Sequence, residues 1–394
     1  MAERWGIPME NQDAAVIIVG AGPVAMTTAV ALAEAGHSVI IVDKEGVGQN
    51  TSRAAVVHAR TLEVLQDLGM AEGLIEAGLP LTNFTFRAGD KVLMPLDFSR
   101  LFTAFPMVLF ISQAETERQL NRRLQDLGVS VRRPRKVVAL TQDKGGVTVG
   151  LDDGTTLRAR YVIGADGKQS TVRQLVGIPF EGQGHRRATD AASFVLADVI
   201  LADASQPTEA SLNISAEGLL VFVPLPDGGC RVVAEVKDAP EIPGRDYIES
   251  LLKARGPANL QTGVASVLWV SRFRIHHQLA GSFRDCNVLL AGDAAHVHSP
   301  AGGQGMNLGI RDGAAIARAV GSVLNGADES VLDTVARQRS DQARKVIHMT
   351  QRLSRIALAP LGLRVPRNTI IQILSKIAVV RRNLALALAG LNDL

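Results

Sequence analysis

Three carboxylates sit where short apolar runs give way to glycine: Asp43 after residues 38–42, Asp166 in Ala-Asp-Gly at 165–167, and Asp293 in Gly-Asp-Ala-Ala-His at 292–296. An acid so placed accepts hydrogen bonds from ligand hydroxyls. The glycines beside it let backbone N–H groups approach a flat or phosphorylated molecule. The chemistry on offer is ligand holding, with no nucleophile implied. The richest run, residues 289–312, reads L-L-A-G-D-A-A-H-V-H-S-P-A-G-G-Q-G-M-N-L-G-I-R-D. It passes Gly292, Asp293, Pro300, Gly302, Gly303 and Gly305, after which apolar residues recur at helical spacing from Met306 through Leu308, Ile310 and Ala314. The loop therefore delivers its ligand to a helix N-terminus, where partial positive charge and unpaired N–H groups gather.

The elements that must position these groups follow from the same text. Residues 14–19 form an apolar strand, Gly20-Ala21-Gly22-Pro23-Val24-Ala25 a turn, 26–35 a helix of small residues stopped by Gly36, and 38–42 a second strand ending at Asp43, with Lys44 beside it. This is a dinucleotide-binding βαβ unit: Gly20 and Gly22 permit the tight turn and close pyrophosphate approach, and Ala25 takes the third, helix-packing position. Asp43 lies about twenty residues on, where an acid receives the ribose hydroxyls and repels a 2′-phosphate, which favours FAD or NAD over NADP. A third strand, turn and helix over 160–173, around Asp166-Gly167, exceeds what one NAD site needs and favours a long flavin cofactor.

These fingerprints, with T-S-R-A at 51–54, R-T-L-E-V-L at 60–65 and S-Q-A-E-T-E at 112–117, resemble those of the single-component FAD-dependent aromatic hydroxylases, the para-hydroxybenzoate and phenol hydroxylase class, over almost the whole chain. The resemblance implies that Asp43 binds the adenosine ribose, that Arg53 and Gln113 lie along the ribityl and pyrophosphate part, and that Asp293 holds the same stretch. Asp166 would sit beneath the cofactor. Pro300, Gly302, Gly303, Gly305, Met306 and Asn307 would line the flavin ring with backbone, so that Pro300, Gly302 and Gly303 form the catalytic environment. The implied reaction is hydroxylation of an aromatic, phenolic or polyketide-like substrate through a flavin hydroperoxide, with NADH or NADPH as transient co-substrate and molecular oxygen consumed. Left open are a quinone-pathway hydroxylase or other flavin-dependent reductase and, in another class, a flavin-binding protein without turnover.

The expected fold class is α/β, α+β overall: a Rossmann-like FAD-binding domain with an inserted β-sheet substrate domain and a C-terminal helical segment. FAD-binding parts are expected at 1–80, 111–180 and 281–330, substrate-domain parts at 81–110 and 181–280, and helices over 331–394. Strand-like runs at 84–95, 194–201, 219–224, 230–236 and 266–273 supply the inserted sheet, and helical spacing marks 113–127, 246–254 and 314 to the end. Phe84, Phe86, Phe98, Phe102, Phe105, Phe110, Phe194 and Phe222 fall in the expected substrate domain, where an aromatic pocket wall is left open and most are expected in core. Larger family members carry a further C-terminal domain that is not expected here, and the last helix is expected to pack on the FAD domain, with a peripheral membrane or partner-facing role for the basic C-terminal helices left open.

Composition bounds the rest. At 394 residues, 46% hydrophobic and net charge +3, the chain can bury a full core and no nucleic-acid partner is implied. Cys230 and Cys286 read as free thiols of a reducing, cytoplasmic setting. The polar N-terminus lacks a signal core, and no apolar run approaches the roughly twenty residues of a membrane span. His296 and His298 lack a third ligand at suitable spacing, so no metal is expected. The only tyrosines, Tyr161 and Tyr247, fall outside pocket-like positions, and substrate activation is expected without them. A homodimer is left open.

Overall fold

The computed structural model describes residues 12–47, 54–182, 193–203, 209–236, 239–274, 277–299, 302–357 and 364–392. Arg53 and Pro300 lie outside them. The helices are α1 (Pro23–Glu34), α2 (Ala59–Gln66), α3 (Ala71–Ala77), α4 (Gln113–Asp126), α5 (Thr171–Leu175), α6 (Arg245–Arg255), α7 (Gln304–Leu324), α8 (Ser330–Ala357), α9 (Arg364–Ser375) and α10 (Ala378–Leu388).

An eight-stranded sheet carries the first layer. Strands Val288–Leu290, Thr156–Gly164, Ala14–Val19, Val39–Val42 and Val131–Arg132 run parallel in that order. Ala14–Val19 is buried at all six positions, which explains its unbroken apolar text: a central parallel strand is covered on both faces. The strands that feed the three glycine turns are thus neighbours, although the first and last lie far apart in sequence.

A seven-stranded sheet forms the second unit, in the order Val264–Arg274, Ser193–Leu201, Cys230–Val236, Gly218–Pro224, Ala210–Ser215, Asn83–Ala88 and Lys91–Asp97. All neighbours are antiparallel except Ala210–Ser215 with Asn83–Ala88. Period-two alternation divides its faces. Cys230, Val232, Ala234 and Val236 pack with Val195, Ala197, Leu220, Phe222 and the α6 residues Ile248, Leu251 and Leu252. Arg231, Val233 and Glu235 point the other way.

Several expectations need correction. The apolar run 84–95 is two strands, because Gly89 at φ +57° turns the chain. Ala210–Ser215 was unforeseen, although its A-S-L-N-I-S alternation was present. Helix from 314 onward is interrupted after Leu324, where Gly326 sits at φ +98°. α9 and α10 pack on strand Lys91–Asp97 of the second sheet, not on the FAD domain as expected. Ile371, Val380 and Leu384 join the cluster of Leu93, Leu96 and Phe86 there. The end of α10 also meets the first unit: Arg60 N donates to Ala389 O (3.2 Å), Gln304 Nε2 to Leu388 O (3.1 Å) and Arg311 Nη1 to Gly390 O (3.0 Å). Phe86, Phe98, Phe110 and Phe222 are core, whereas Phe102 is fully exposed.

Candidate active site at three converging turns

The three glycine turns touch one another. Gly20, at φ +106°, lies so close to the second turn that an added Cβ would overlap the carbonyl of Ala165. Gly292, at φ +59°, faces Val24 of the first turn, and a Cβ there would meet Val24 Cγ2 at 2.9 Å. Farther along α7, Gly309 packs on the same valine and Gly313 on Thr28 of α1. Large side chains at these places would part the elements that carry the turns. Pro23 opens α1 as a helix-starting residue, and Ala25 is fully buried behind it.

A Cβ built at Gly22, Gly167 or Gly305 would meet nothing within 4 Å, while Gly20, Gly164 and Gly303 are filled by neighbouring chain. In the first two turns one glycine therefore closes the protein on itself and the second presents bare backbone to open space; Gly303 and Gly305 repeat this at the entry to α7, while Gly292 is packed. The N-termini of α1 and α7, capped by Gly22 and Gly303, lack side-chain caps, whereas α4 and α5 are capped by Ser112 and Ser170. Uncapped N–H groups at both ends of this surface suit an anionic ligand. The arrangement fits a dinucleotide carrying a flavin.

The acids differ in setting. Asp43 Oδ1 accepts from Glu45 N (2.8 Å), and its other oxygen lies 4.0 Å from Arg133 Nη2. Arg133 also donates to Ala21 O at 3.3 Å. Gln113 donates to Glu117 Oε1 at 2.8 Å, and burial pushes the Glu117 carboxyl up while Arg133 opposes it. Asp43, Gln113, Arg133 and Glu117 thus share one corner. The last two escaped sequence reasoning, and their signals were a basic R-R-P-R run and an acid four residues beyond Gln113. Lys44 is exposed beside Glu45. Asp166 accepts at Oδ2 from Thr171 N (2.7 Å) and Val172 N (3.2 Å), tying the second turn to α5; burial raises its pKa. Asp293 is exposed in the short turn Gly292–Ala294.

The loop entering α7 is held by side chains distant in sequence. Gly303 is left-handed at φ +63°, and a Cβ would overlap Val56. Asn307 Nδ2 donates to Gly303 O (2.7 Å) and Val56 O (2.9 Å), while its Oδ1 accepts from His58 N (2.8 Å). Its amide is occupied as a bracket, which leaves backbone for a ligand. His58 donates through Nε2 to Gly302 O at 2.9 Å, and burial lowers its pKa to about 4, so the ring is neutral at neutral pH. Met306 packs partly buried on the core of the first unit. Deeper, Asp312 receives His296 Nε2 (2.5 Å) and Arg339 Nε (2.6 Å). His296 is therefore engaged in a buried structural cluster, and among the described residues no group of His, Cys, Asp or Glu could hold a metal ion.

The sheet face opposite α6 bears Leu196, Val221, Val233 and Glu235, with Arg231 bonded to Asp198 at 2.7 Å. Burial raises the Glu235 pKa. Leu219 and Val223 of this face share a cluster with Val56 and Leu388, which turns it toward the α7 loop.

Comparison with known proteins agrees with this geometry. A family described as "FAD binding domain" matches residues 13–350. Rifampicin monooxygenase of Streptomyces venezuelae is 37% identical over 341 residues, covering 85% of this chain and 70% of the relative. Pentachlorophenol 4-monooxygenase of Sphingobium chlorophenolicum is 31% identical, covering 89% and 66%. The chain thus spans about two thirds of the length of these relatives. The crystal structure of p-nitrophenol 4-monooxygenase from Pseudomonas putida DLL-E4 superposes with a TM-score of 0.85 at 26% identity, covering 96% of this chain and 98% of that one. With three fingerprints joined on one sheet and kinship along most of its length, the chain belongs to the FAD-binding family of flavoprotein monooxygenases, the FAD-dependent aromatic hydroxylases.

Proposed function

We propose that this protein uses FAD, NAD(P)H and oxygen to hydroxylate an aromatic, phenolic or polyketide-like ring. The observation that carries this reading is the contact of three glycine turns, Gly20 on Ala165 and Gly292 on Val24, with Gly22 and Gly167 open beside them. When bound, FAD supplies reducing equivalents taken from NAD(P)H and activates oxygen. Residues of the chain do the rest. Gly20, Gly22, Pro23, Val24 and Ala25, with the α1 N-terminus, receive the pyrophosphate; Asp43 takes the adenosine ribose; Arg53, Gln113 and Asp293 follow the ribityl stretch. Asp166 orders the second turn. The backbone of Pro300, Gly302, Gly303, Gly305, Met306 and Asn307 lines the ring, where the α7 N-terminus favours negative charge. The substrate lies against the sheet face bearing Leu196, Val221 and Val233, whose apolar side chains exclude water and orient the ring.

In this reading 1–80, 111–180 and 281–330 hold the cofactor, 81–110 and 181–280 cover the substrate, and 331–394 close the outside. The protein works in the cytoplasm, where Cys230 and Cys286 stay reduced; among the described residues no helix is long and apolar enough to cross a membrane. A panel of phenols and fused-ring polyketides, assayed for stimulated NAD(P)H oxidation under labelled oxygen, tests the proposal. One labelled oxygen atom in a ring product is expected. Oxidation at the same rate with every compound, and no labelled product, would identify a plain reductase.

A further inference from the structure

Residues 342–392 contain no aspartate or glutamate and nine lysines and arginines, in a chain that carries 39 acids over 394 residues. The same segment leaves apolar side chains uncovered. Val365, Ile370, Ile373 and Leu374 lie on one side of α9, and Ile377 and Val379 continue the patch through the turn into α10. Val379 is 65% exposed, Ile373 57% and Ile370 55%, so most of this surface meets water. Packing on the second sheet uses the other side of α9, through Ile371 and Gln372.

The cations divide by role. Arg367 bonds to Asn368 and to Ile356 O of α8, and Arg381 to Ser375 O, so both are engaged within the fold. Lys376 and Arg382 stand exposed beside the apolar patch. The strand beneath, Lys91–Asp97, ends in one charge of each sign and leaves the balance unchanged. An apolar helix face with basic flanks suits the boundary between anionic headgroups and acyl chains. A second copy fits less well, because a twofold contact sets a patch against itself and this segment brings no acid to pair Lys376 or Arg382. With no helix able to cross a bilayer among the described residues, the contact is one of lying on the surface.

We propose that the α9–α10 hairpin docks this protein on anionic membrane surfaces, with Ile370, Ile373, Ile377 and Val379 in the headgroup boundary and Lys376 and Arg382 against lipid phosphates. Because the end of α10 is bonded to Arg60, Gln304 and Arg311, docking through the other end of α10 would fix the first unit about 16 Å along that helix from the membrane contact.

The test is co-sedimentation of the FAD-loaded full-length protein with phosphatidylcholine vesicles, with and without phosphatidylglycerol. Binding is expected only with the anionic lipid and should weaken with salt. The Lys376→Gln/Arg382→Gln variant should bind about fivefold less tightly per cation removed, and Ile373→Glu/Val379→Glu roughly tenfold or more. Unchanged FAD content and melting temperature in both variants show that the fold is kept. Equal binding to neutral vesicles, no binding, or binding that survives both pairs of substitutions would overturn the proposal. So would a dimer, detected by light scattering, that Ile373→Glu/Val379→Glu dissociates, since a second copy would then be the occupant.

Discussion

The two sheets solve different problems with different parts of the chain. On the parallel sheet the candidate site is made of backbone: Gly20, Gly292 and Gly303 are where they are because neighbouring chain leaves no room for a Cβ. On the antiparallel sheet the face proposed for substrate is made of side chains on alternate positions, among them Leu196, Val221 and Val233. The proposed cofactor grip is thus constrained backbone, while the proposed substrate face is built of side chains.

Gly20→Ala gives the sharpest contrast. Strain at φ +106° and overlap with the Ala165 carbonyl should destabilise the fold by about 3 kcal/mol or more and abolish FAD retention. Gly22→Ala, which meets nothing, should cost the fold under about 1 kcal/mol yet still weaken FAD. Urea unfolding and flavin absorbance separate the two. A Gly20→Ala protein as stable as the parent would break the comparison at its root. Val233→Ala, on the opposite unit, should change which phenols stimulate NAD(P)H oxidation while leaving FAD affinity within about twofold.

His58 ties the glycine loop to pH. Its folded pKa of about 4 lies below the usual 6.5, so the unfolded chain binds the extra proton between those values. Stability should therefore fall as pH drops from 6.5 to about 4, by up to about 3 kcal/mol from this ring. Unfolding midpoints measured across that window should slope less steeply in His58→Gln, and an identical slope would mean that the ring is not held neutral.

How far the sequence reached follows the same division. The turns were legible because glycine, an acid and flanking apolar runs are local signals, and Ala14–Val19, the end of Thr156–Gly164 from residue 160 and Val288–Leu290 each read as a strand. Their adjacency was an inference from the cofactor's length. Asn307 bonded to His58 and Val56, or Asp312 joining His296 to Arg339, could not be read, because those partners meet only once the chain has folded. The seat of α9 and α10 was misjudged for a related reason: apolar spacing shows that a helix packs, without saying on what.

The smallest effect is expected at Tyr161. Its hydroxyl donates to Glu329 at 3.1 Å, and burial raises its pKa to about 12, so it keeps its proton at neutral pH and is already engaged by that carboxylate. Tyr161→Phe should cost about 1 kcal/mol or less and keep hydroxylation within about tenfold of the parent. A larger loss with FAD content intact would place this tyrosine in substrate activation and undo the assignment of that chemistry to the other sheet.

The central claim, that the three touching turns form one flavin site, is tested most directly by calorimetric titration of FAD into the apoprotein, parent and Asp293→Ala side by side. The parent should bind one FAD per chain. The variant should bind at least about tenfold more weakly, because a charge-assisted hydrogen bond to the ribityl–pyrophosphate stretch is lost. Equal affinity in the two proteins, or no binding by the parent, would contradict the account.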